Sequence, residues 1–344
     1  MASMKKTGGG IELIEVRHLT KRYGAHLAVD DLSFTVESGK IYGLLGPNGA
    51  GKSTTMNIIT GCLAASEGEV IVNGHDIFEE PVAAKKCVGY LPEIPPVYTD
   101  MTVSEYLRFI AEAKDVPAKE RKAQLEEILE STGLADVRGR LINNLSKGYR
   151  QRVGIAQALV GNPEIVILDE PTVGLDPKQI IEIRDLIRML GQKHTVILSS
   201  HILSEVSAVC DSVMIIAHGR LVANGTPEEL TRLFAGDQEI HMELKGNEDA
   251  VRGALGALEN AAAADIASEN GVTRATLRPE NGADIREAVF RACAKANLPI
   301  LEMHTERASL EEIFLELTQG DGQEGAAQPP EEQNETPAEG GETA

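Results

Sequence analysis

The first part of the chain alternates apolar and polar residues in the way that β-strands do. Residues 11–36 follow this period of two around Gly or Ser breaks, which predicts extended structure. Ile41–Leu45 is a short apolar run of the buried-strand type, and it leads directly into a glycine-rich loop. A helical pattern follows at residues 54–63. The start of the chain is therefore predicted to run from strand to glycine loop to helix.

The middle of the chain changes to a helical period. Between residues 99 and 140, Thr102 and Glu105 have the spacing of a capping box ahead of an apolar helix start. Residues 121–129 form a second amphipathic run. These patterns predict a helical insertion of about residues 95–160.

A second pair of buried strands follows this insertion. Ile165–Leu168 and residues 195–198 are apolar runs, and an amphipathic helix at 178–190 separates them. This is the pattern of a β-α-β unit in a buried parallel sheet, so we predict an α/β fold.

The composition becomes rich in alanine after Gly236. The strand-like stretches there are 238–244, 272–278 and 299–304, and the helical ones are 248–259 and 283–296. A capping box from Ser309 to Glu312 precedes a last helix at 313–317. We predict a small α+β domain at 237–319. Residues 320–344 are acidic and have no basic residue, which predicts a disordered tail.

Composition and charge restrict the classes of function. The formal net charge of -20 argues against a nucleic-acid surface, which needs clustered Lys and Arg, so no nucleic-acid partner is expected. The four cysteines are widely separated and predict neither a zinc site nor a disulfide framework. No apolar run approaches the roughly 18–20 residues that span a bilayer. Residues 1–10 are predicted to be a flexible N-terminus.

The glycine-rich loop matches the phosphate-binding pattern G-x-x-x-x-G-K-S in full. Its residues are Gly46, Pro47, Asn48, Gly49, Ala50, Gly51, Lys52 and Ser53. In such a loop the backbone N–H groups surround a β-phosphate, the lysine neutralises β- and γ-oxygens, and the serine hydroxyl binds Mg²⁺. Thr54 continues the loop into the helix. This predicts a nucleotide site for ATP and Mg²⁺.

Two adjacent carboxylates end the strand at residues 165–168. Asp169 is placed to hold the Mg²⁺ shell through water, and Glu170 is placed to act on the attacking water as a general base or as a water-orienting group. Ligands of open α/β sheets bind at the carboxyl ends of the strands, which is where these residues lie. Adjacent carboxylates are also common on a solvated surface, and the glycine loop upstream favours the catalytic interpretation.

The segment LSKGYRQR, residues 145–152, has a different role from the glycine loop. Ser146 at a predicted helix start and Gly148 two residues later offer a hydroxyl and backbone N–H groups to an anion. Because the chain's own glycine loop serves its own nucleotide, this second anion site points to a second copy.

In their order along residues 11–235, these motifs resemble those of the ATP-binding subunits of ABC transporters. LSKGYRQR resembles the ABC signature, and the resemblance implies that Ser146 and Gly148 contact the γ-phosphate held by another subunit. Asp176, in Gly-Leu-Asp, resembles the D-loop at the dimer interface. His201 resembles the switch histidine that contacts the γ-phosphate and places the water. Tyr23 resembles the aromatic residue that stacks on adenine, although strand packing is the alternative for this ring.

The resemblance implies a fold, partners and a location. The fold is a P-loop cassette at 11–236, with a RecA-like core, an antiparallel β subdomain and a helical subdomain. The implied partners are a second cassette, in a homodimer or a pseudo-dimer, and transmembrane permease subunits. The chain is then expected at the cytoplasmic face of the membrane as a peripheral ATPase.

Glu93 departs from the family pattern, which usually has glutamine at this position. An ionised glutamate only accepts hydrogen bonds, whereas glutamine also donates, but either side chain tolerates Mg²⁺. The same glutamate, and the segment from Glu306 to Phe314, resemble ATPases of the ABC-2 export branch, including gliding-motility-type members. This favours export over import.

Two other interpretations are kept. A soluble ABC-type ATPase acting in translation or DNA maintenance would usually carry two cassettes, coiled coils or zinc modules, and this chain shows one cassette. A regulatory or protein-binding role of the C-terminal domain and tail is compatible with the transporter hypothesis.

Overall fold

The computed structural model describes residues 6–7, 10–234, 239–256, 258, 261–269, 271–279 and 283–306. The strands are, in chain order, β1 (Lys6–Thr7), β2 (Gly10–Tyr23), β3 (His26–Glu37), β4 (Ile41–Leu45), β5 (Glu67–Val72), β6 (His75–Asp76), β7 (Val88–Leu91), β8 (Ile165–Leu168), β9 (Thr195–Ser200), β10 (Ser212–Ala217), β11 (Arg220–Gly225), β12 (Glu239–Lys245), β13 (Ala261–Glu269), β14 (Val272–Pro279) and β15 (Ile300–Glu306). The α-helices are α1 (Lys52–Ile59), α2 (Pro81–Lys86), α3 (Val103–Ala113), α4 (Ala118–Ser131), α5 (Lys147–Leu159), α6 (Pro177–Gly191), α7 (Leu203–Ser207), α8 (Pro227–Phe234), α9 (Glu248–Leu255) and α10 (Arg286–Lys295).

A six-stranded sheet in the order β11-β10-β4-β9-β8-β7 positions the functional residues. All of its neighbouring pairs are parallel except β10 with β11. Leu168 pairs with Leu198, and Leu45 pairs with Ser200. The residues that follow β4, β8 and β9 therefore emerge side by side at one edge of the sheet. The predicted β-α-β unit is confirmed, with α6 as its helix.

An antiparallel sheet covers one face of this arrangement. β2 pairs with β1, β3 and β5, and β5 pairs with β6. The strands predicted at 11–36 are confirmed as β2 and β3. The chain end predicted to be flexible includes Lys6–Thr7, which pairs with Gly10 and Ile11 of β2. The two sheets share one hydrophobic core, with Leu32 and Leu44 fully buried.

The helix after the glycine loop starts earlier than its periodicity predicts. The prediction was 54–63, and α1 begins at Lys52. Gly51 has a left-handed backbone with φ 102° at the N-cap, so the helix starts as soon as the loop has turned. Gly61, with φ 69°, takes the chain out of the helix after Thr60.

The predicted helical insertion is present as α3, α4 and α5. The capping box is confirmed, since the Glu105 amide donates to Thr102 Oγ1 at 3.3 Å and the Thr102 amide donates to Glu105 Oε2 at 2.8 Å. Lys114, at the end of α3, donates to the Val160 carbonyl at 2.8 Å. This contact satisfies an acceptor at the C-terminal end of α5 and links it to α3.

A four-stranded antiparallel sheet in the order β13-β14-β12-β15 forms from residues 239–306. Its hydrophobic core is built with α9 and α10 and includes the fully buried Leu244, Val251 and Val289. The predicted strands and helices of this region are confirmed as β12, β14, β15, α9 and α10. The predicted helix at 313–317 with its capping box, and the predicted tail at 320–344, lie outside the described residues.

β13 is a strand that the sequence pattern did not predict. Its sequence is AAAADIASE, and alanine has a low preference for strands and gives little alternation. It nevertheless pairs with β14 from Ala261 to Glu269. The pairing with a neighbouring strand decides the structure of this segment.

The close approach of β7 and α5 predicts the effect of a single methyl group. A Cβ at Gly89 would lie 2.1 Å from the Ala158 carbonyl oxygen, which is backbone and cannot rotate away. We expect Gly89→Ala to lower the free energy of unfolding by about 1–3 kcal/mol, the usual cost of overpacking. Thermal unfolding of the purified chain measures this.

Gly139→Ala is the matched control, because no heavy atom lies within 4 Å of its Cβ position. An unchanged midpoint for Gly89→Ala, or equal shifts for the two variants, would contradict the packing described for β7 and α5.

Candidate functional site

The glycine loop after β4 has positions that only glycine fits. A Cβ at Gly46 would lie 2.4 Å from the Ile216 carbonyl oxygen, and one at Gly51 would lie 2.5 Å from the Ala28 carbonyl oxygen. The helix α1 that follows has no side-chain cap and no acidic residue in its first turn. The first N–H groups of a helix have no partner within it, so this end of α1 suits an anion.

Lys52 lies at the centre of the loop and is 6% exposed. Its Nζ donates to the Gly46 carbonyl at 2.7 Å and to the Pro47 carbonyl at 3.2 Å. Burial lowers the pKa of its ammonium group, and the Glu170 and Asp169 carboxylates oppose that shift. The loop therefore holds a desolvated cation that a phosphate would stabilise.

The two carboxylates after β8 are fixed by one hydroxyl from β9. Ser199 Oγ donates to Asp169 Oδ1 at 2.5 Å and accepts from the Glu170 amide at 2.8 Å. Asp169 is 3% exposed and Glu170 is 7% exposed. Glu170 has φ 46°, in the left-handed region, which is strained for a residue with a Cβ. The turn is therefore held against its own backbone preference.

The Glu170 carboxylate lies between two nitrogen groups. Its Oε2 is 3.0 Å from His201 Nδ1, and its Oε1 is 3.6 Å from Lys52 Nζ. Since an ionised carboxylate only accepts, the hydrogen of this pair lies on His201 Nδ1. Such a carboxylate can take a proton from water, and His201 keeps its orientation fixed.

A cavity of about 400 Å³ opens over this group. The predicted site residues that line it are Tyr23, Pro47, Asn48, Gly49, Gly51, Lys52, Ser53, Thr54, Glu93, Glu170 and His201. Gly46, Ala50 and Asp169 do not line it: the Gly46 carbonyl accepts from Lys52, and Ala50 and Asp169 are each 3% exposed. His26, Ala28 and Val173 line the cavity as well and were not predicted.

Tyr23 stands at the rim of the cavity, at the end of β2. Its side chain is 48% exposed, and Lys21 Nζ lies 5.2 Å from the ring centroid. A ring packed inside the sheet would be buried, so the strand-packing alternative does not describe it. An exposed aromatic face at this place suits stacking with a planar base.

Ser146, Gly148 and Asp176 are not among the residues that line this cavity. Ser146 is the exposed N-cap of α5, and Asp176 is the exposed N-cap of α6. A Cβ at Gly148 would lie 2.8 Å from the Gln179 side chain, so α5 and α6 are in close contact here. Ser146 and Asp176 are therefore exposed at the starts of the two helices, and Gly148 is buried where the helices meet.

The donor groups fit MgATP. The glycine loop, the α1 end and Lys52 offer N–H groups and a positive charge, and Ser53, Asp169 and Glu93 offer oxygens of the kind that Mg²⁺ prefers. Within the described ranges no group of three or more His, Cys, Asp or Glu side chains is arranged to hold a metal ion. Mg²⁺ commonly binds through one or two carboxylates plus substrate phosphates, which matches this set.

Three polar residues near the site were missed by the sequence analysis. They are Ser199, which binds both strand-end residues, and Thr172 and Glu205, which bind each other. Their contacts join residues about 30 positions apart, so no local spacing reveals them. The only signal is their closeness in sequence to Glu170 and His201.

No helix in the described part of the chain has both the length and the apolar character needed to cross a membrane.

Comparison with known proteins gives the family. The ABC transporter family profile matches residues 29–173. The linearmycin resistance ATP-binding protein LnrL of Bacillus subtilis (strain 168) is 31% identical over 307 residues, which cover 89% of this chain and 98% of LnrL. The daunorubicin resistance ATP-binding protein DrrA3 of Streptomyces coeruleorubidus is 32% identical over 315 residues, which cover 90% of this chain and 96% of DrrA3.

A solved structure of a similar protein bears on the oligomeric state. It is a dimeric bacterial ABC transporter cassette with a TM-score of 0.57 and 25% sequence identity, and the match covers 62% of this chain and 98% of that chain. The similarity supports a second cassette as a partner of this one. The enzymatic activity of such proteins, and of this chain, is that of an ATPase coupled to transport. Because relatives match it along almost their whole length and it carries the glycine loop, this chain belongs to the ABC transporter family as an ATP-binding subunit.

Proposed function

We propose that the chain powers an exporter of the ABC-2 type. Two relatives whose names describe drug resistance match about nine tenths of the chain, and the match is too long for the cassette alone. Glu93 and the segment after Glu306 support the same branch. The alternative of an ATPase in translation or DNA maintenance is not favoured, because the names of these relatives describe drug resistance and ATP binding.

The proposed working unit is a head-to-tail dimer of two cassettes. The observation that carries it is the separation of Ser146, Gly148 and Asp176 from the cavity around Lys52. In a head-to-tail pair, the surface of one copy that carries Ser146 and Asp176 covers the cavity of the other copy. Ser146 and the α5 end then supply the hydroxyl and N–H groups that the cavity lacks on its open side.

The residues of the cavity have distinct roles in this proposal. Tyr23 stacks on the adenine, and the loop from Gly46 to Thr54 binds the phosphates. Ser53, Asp169 and Glu93 would hold Mg²⁺, directly or through water, and the metal would supply neutralisation of phosphate charge when bound. Asp176 lies at the interface between the copies.

Glu170 is the proposed base and His201 is its partner. Glu170 accepts a proton from water as the water oxygen bonds to the γ-phosphorus and the bond to ADP breaks. Lys52 is within 3.6 Å of the same carboxylate and neutralises the phosphate oxygens. Since His201 Nδ1 donates to Glu170, the Nε2 of the neutral imidazole accepts from the water, whereas a contact with the γ-phosphate needs the imidazolium, which donates from both nitrogens.

The proposed contact with permease subunits lies around the Glu93 loop and α3. Ile94 is 81% exposed, and Tyr98 is 51% exposed with its ring in edge contact with Phe109. An exposed apolar group of this kind suits another protein surface. The location that follows is the cytoplasmic face of a membrane.

Isolation of the complex from native membranes tests the transporter proposal. We expect the chain to sediment with membranes and to co-purify with a protein that has several membrane spans. A chain that fractionates with ribosomes or with DNA would contradict the proposal and favour the alternative.

Replacing the proposed base tests the assignment of the site. We expect Glu170→Gln to lower ATP turnover by about 100-fold or more, because an amide cannot accept the proton. Nucleotide affinity is expected to remain, since Lys52 and the glycine loop are unchanged. ATP-dependent dimers are expected to accumulate, which size-exclusion chromatography with bound ATP would detect.

Glu127→Gln is the matched control, because Glu127 is an exposed partner of Lys193 far along the chain from the site. Turnover of Glu170→Gln equal to that of the unaltered chain would refute the role of Glu170.

Removal of residues 237–344 tests the role of the C-terminal unit. Because β12 to β15 have a core of their own, we expect the cassette to keep ATP binding and its thermal midpoint. We expect export in cells, or the yield of the membrane complex, to fall. A second variant that lacks only 320–344 separates the tail from the folded unit, and unchanged export and assembly in the longer deletion would argue against a regulatory role.

A further inference from the structure

Glu205 is a buried carboxylate that the proposed chemistry does not use. It lies on α7, four residues after His201, and is 6% exposed. Among the described residues, no ion pair with Lys, Arg or His includes it. Burying a carboxylate without a nearby cation costs free energy. We therefore expect the hydrogen bonds of Glu205 to fix neighbouring residues in a way that an apolar side chain at this position would not.

Two hydroxyl groups donate to this carboxylate. Thr172 Oγ1 makes a short hydrogen bond to Glu205 Oε2, and Ser200 Oγ lies 3.4 Å from the same oxygen. Ser200 Oγ also accepts from the Ile202 amide at 3.0 Å. Thr172 and Ser200 are 7% and 1% exposed. We call this group of Thr172, Ser200 and Glu205 the Glu205 bridge.

The Glu205 bridge joins the two turns that carry the base and the histidine. Thr172 follows Glu170 by two residues in the turn after β8, and Ser200 is the residue before His201 at the end of β9. Any change in the separation of these turns changes the contact of 3.0 Å between Glu170 and His201.

Ser199, like the Glu205 bridge, links the end of β9 to the residues that follow β8. It binds Asp169 and the Glu170 amide, whereas the Glu205 bridge binds residues 172 and 200. Ser199 holds the backbone of Glu170, and the Val173 amide donates to the Glu170 carbonyl at 3.2 Å across the turn that follows. Glu170 has φ 46°, and the Thr172 hydroxyl adds a side-chain restraint that connects this strained turn to α7.

We propose that Glu205 is a positioning residue that sets the Glu170–His201 distance through Thr172 and Ser200. This inference rests on the proposed roles of Glu170 and His201. The P-loop lies on β4 and α1 and does not depend on the bridge, so its loss lowers the rate of the chemical step and leaves ATP binding intact. If Glu205 had only a structural role, loss of the bridge would lower stability without lowering the chemical step selectively relative to ATP binding.

Thr172→Val tests the proposal, because valine has the same shape but cannot donate. We expect kcat to fall by about 10-fold or more, as misplaced catalytic groups do. We expect KM for ATP to stay within about twofold, which marks a loss confined to the chemical step. Thr172→Ser keeps the hydroxyl and should restore most of the turnover. Thr132 is a buried threonine at the C-cap of α4. As a matched control, Thr132→Val makes the same change there and should leave kcat unaltered.

A double variant separates positioning from folding. In a His201→Ala chain the contact is already lost, so adding Thr172→Val should reduce the residual turnover no further. Losses that multiply would overturn the proposal, as would an unchanged kcat in Thr172→Val. If Thr172→Val does not fold, Ser200→Ala removes the other hydroxyl, and the same fall in kcat with an unchanged KM is expected.

Glu170→Gln, measured in parallel, keeps the two proposals apart. Full turnover in Glu170→Gln would overturn the proposed function itself. An inactive Glu170→Gln together with normal kcat in both Thr172→Val and Ser200→Ala would overturn only the positioning role of Glu205.

Discussion

The placement of the Glu170 carboxylate between Lys52 and His201 is the interaction on which the rest of the site depends. The three residues come from three parallel strand ends, and the order of β4, β9 and β8 in the sheet makes them neighbours. A carboxylate in such a buried place is stabilised only by groups held at fixed distances. The sheet provides the approximate placement, and the hydroxyl contacts of Ser199 and the Glu205 bridge provide the remaining restraint.

Under the proposed dimer one chain holds only half of a catalytic site, and the same sheet explains this division. The cavity contains the base, the histidine and the phosphate loop, whereas Ser146, Gly148 and Asp176 lie outside it at the starts of α5 and α6. The close packing of Gly148 on Gln179 joins α5, which precedes β8, to α6, which follows β8. Under the proposed dimer, movement at the cavity of one copy therefore reaches the LSKGYRQR segment of the same copy, which covers the cavity of the other copy.

Much of the fold and site follows from local patterns in the sequence. The glycine loop, the carboxylates Asp169 and Glu170, and the capping box at Thr102 each lie within a few residues, and so do the alternating strands. β13 escapes this approach because its alanines carry little strand preference, and only pairing with β14 defines it. Ser199 and Glu205 escape it because their partners lie about 30 residues away, and tertiary structure alone brings them together.

The proposed dimer requires two copies of the cassette for catalysis, so ATP turnover should depend on the chain concentration. Turnover per chain would be measured over a range of chain concentrations at saturating MgATP, with the dimer fraction measured by sedimentation in parallel. We expect turnover per chain to rise with the dimer fraction and to approach zero where the chain is monomeric. Equal turnover per chain in monomer and dimer would contradict it.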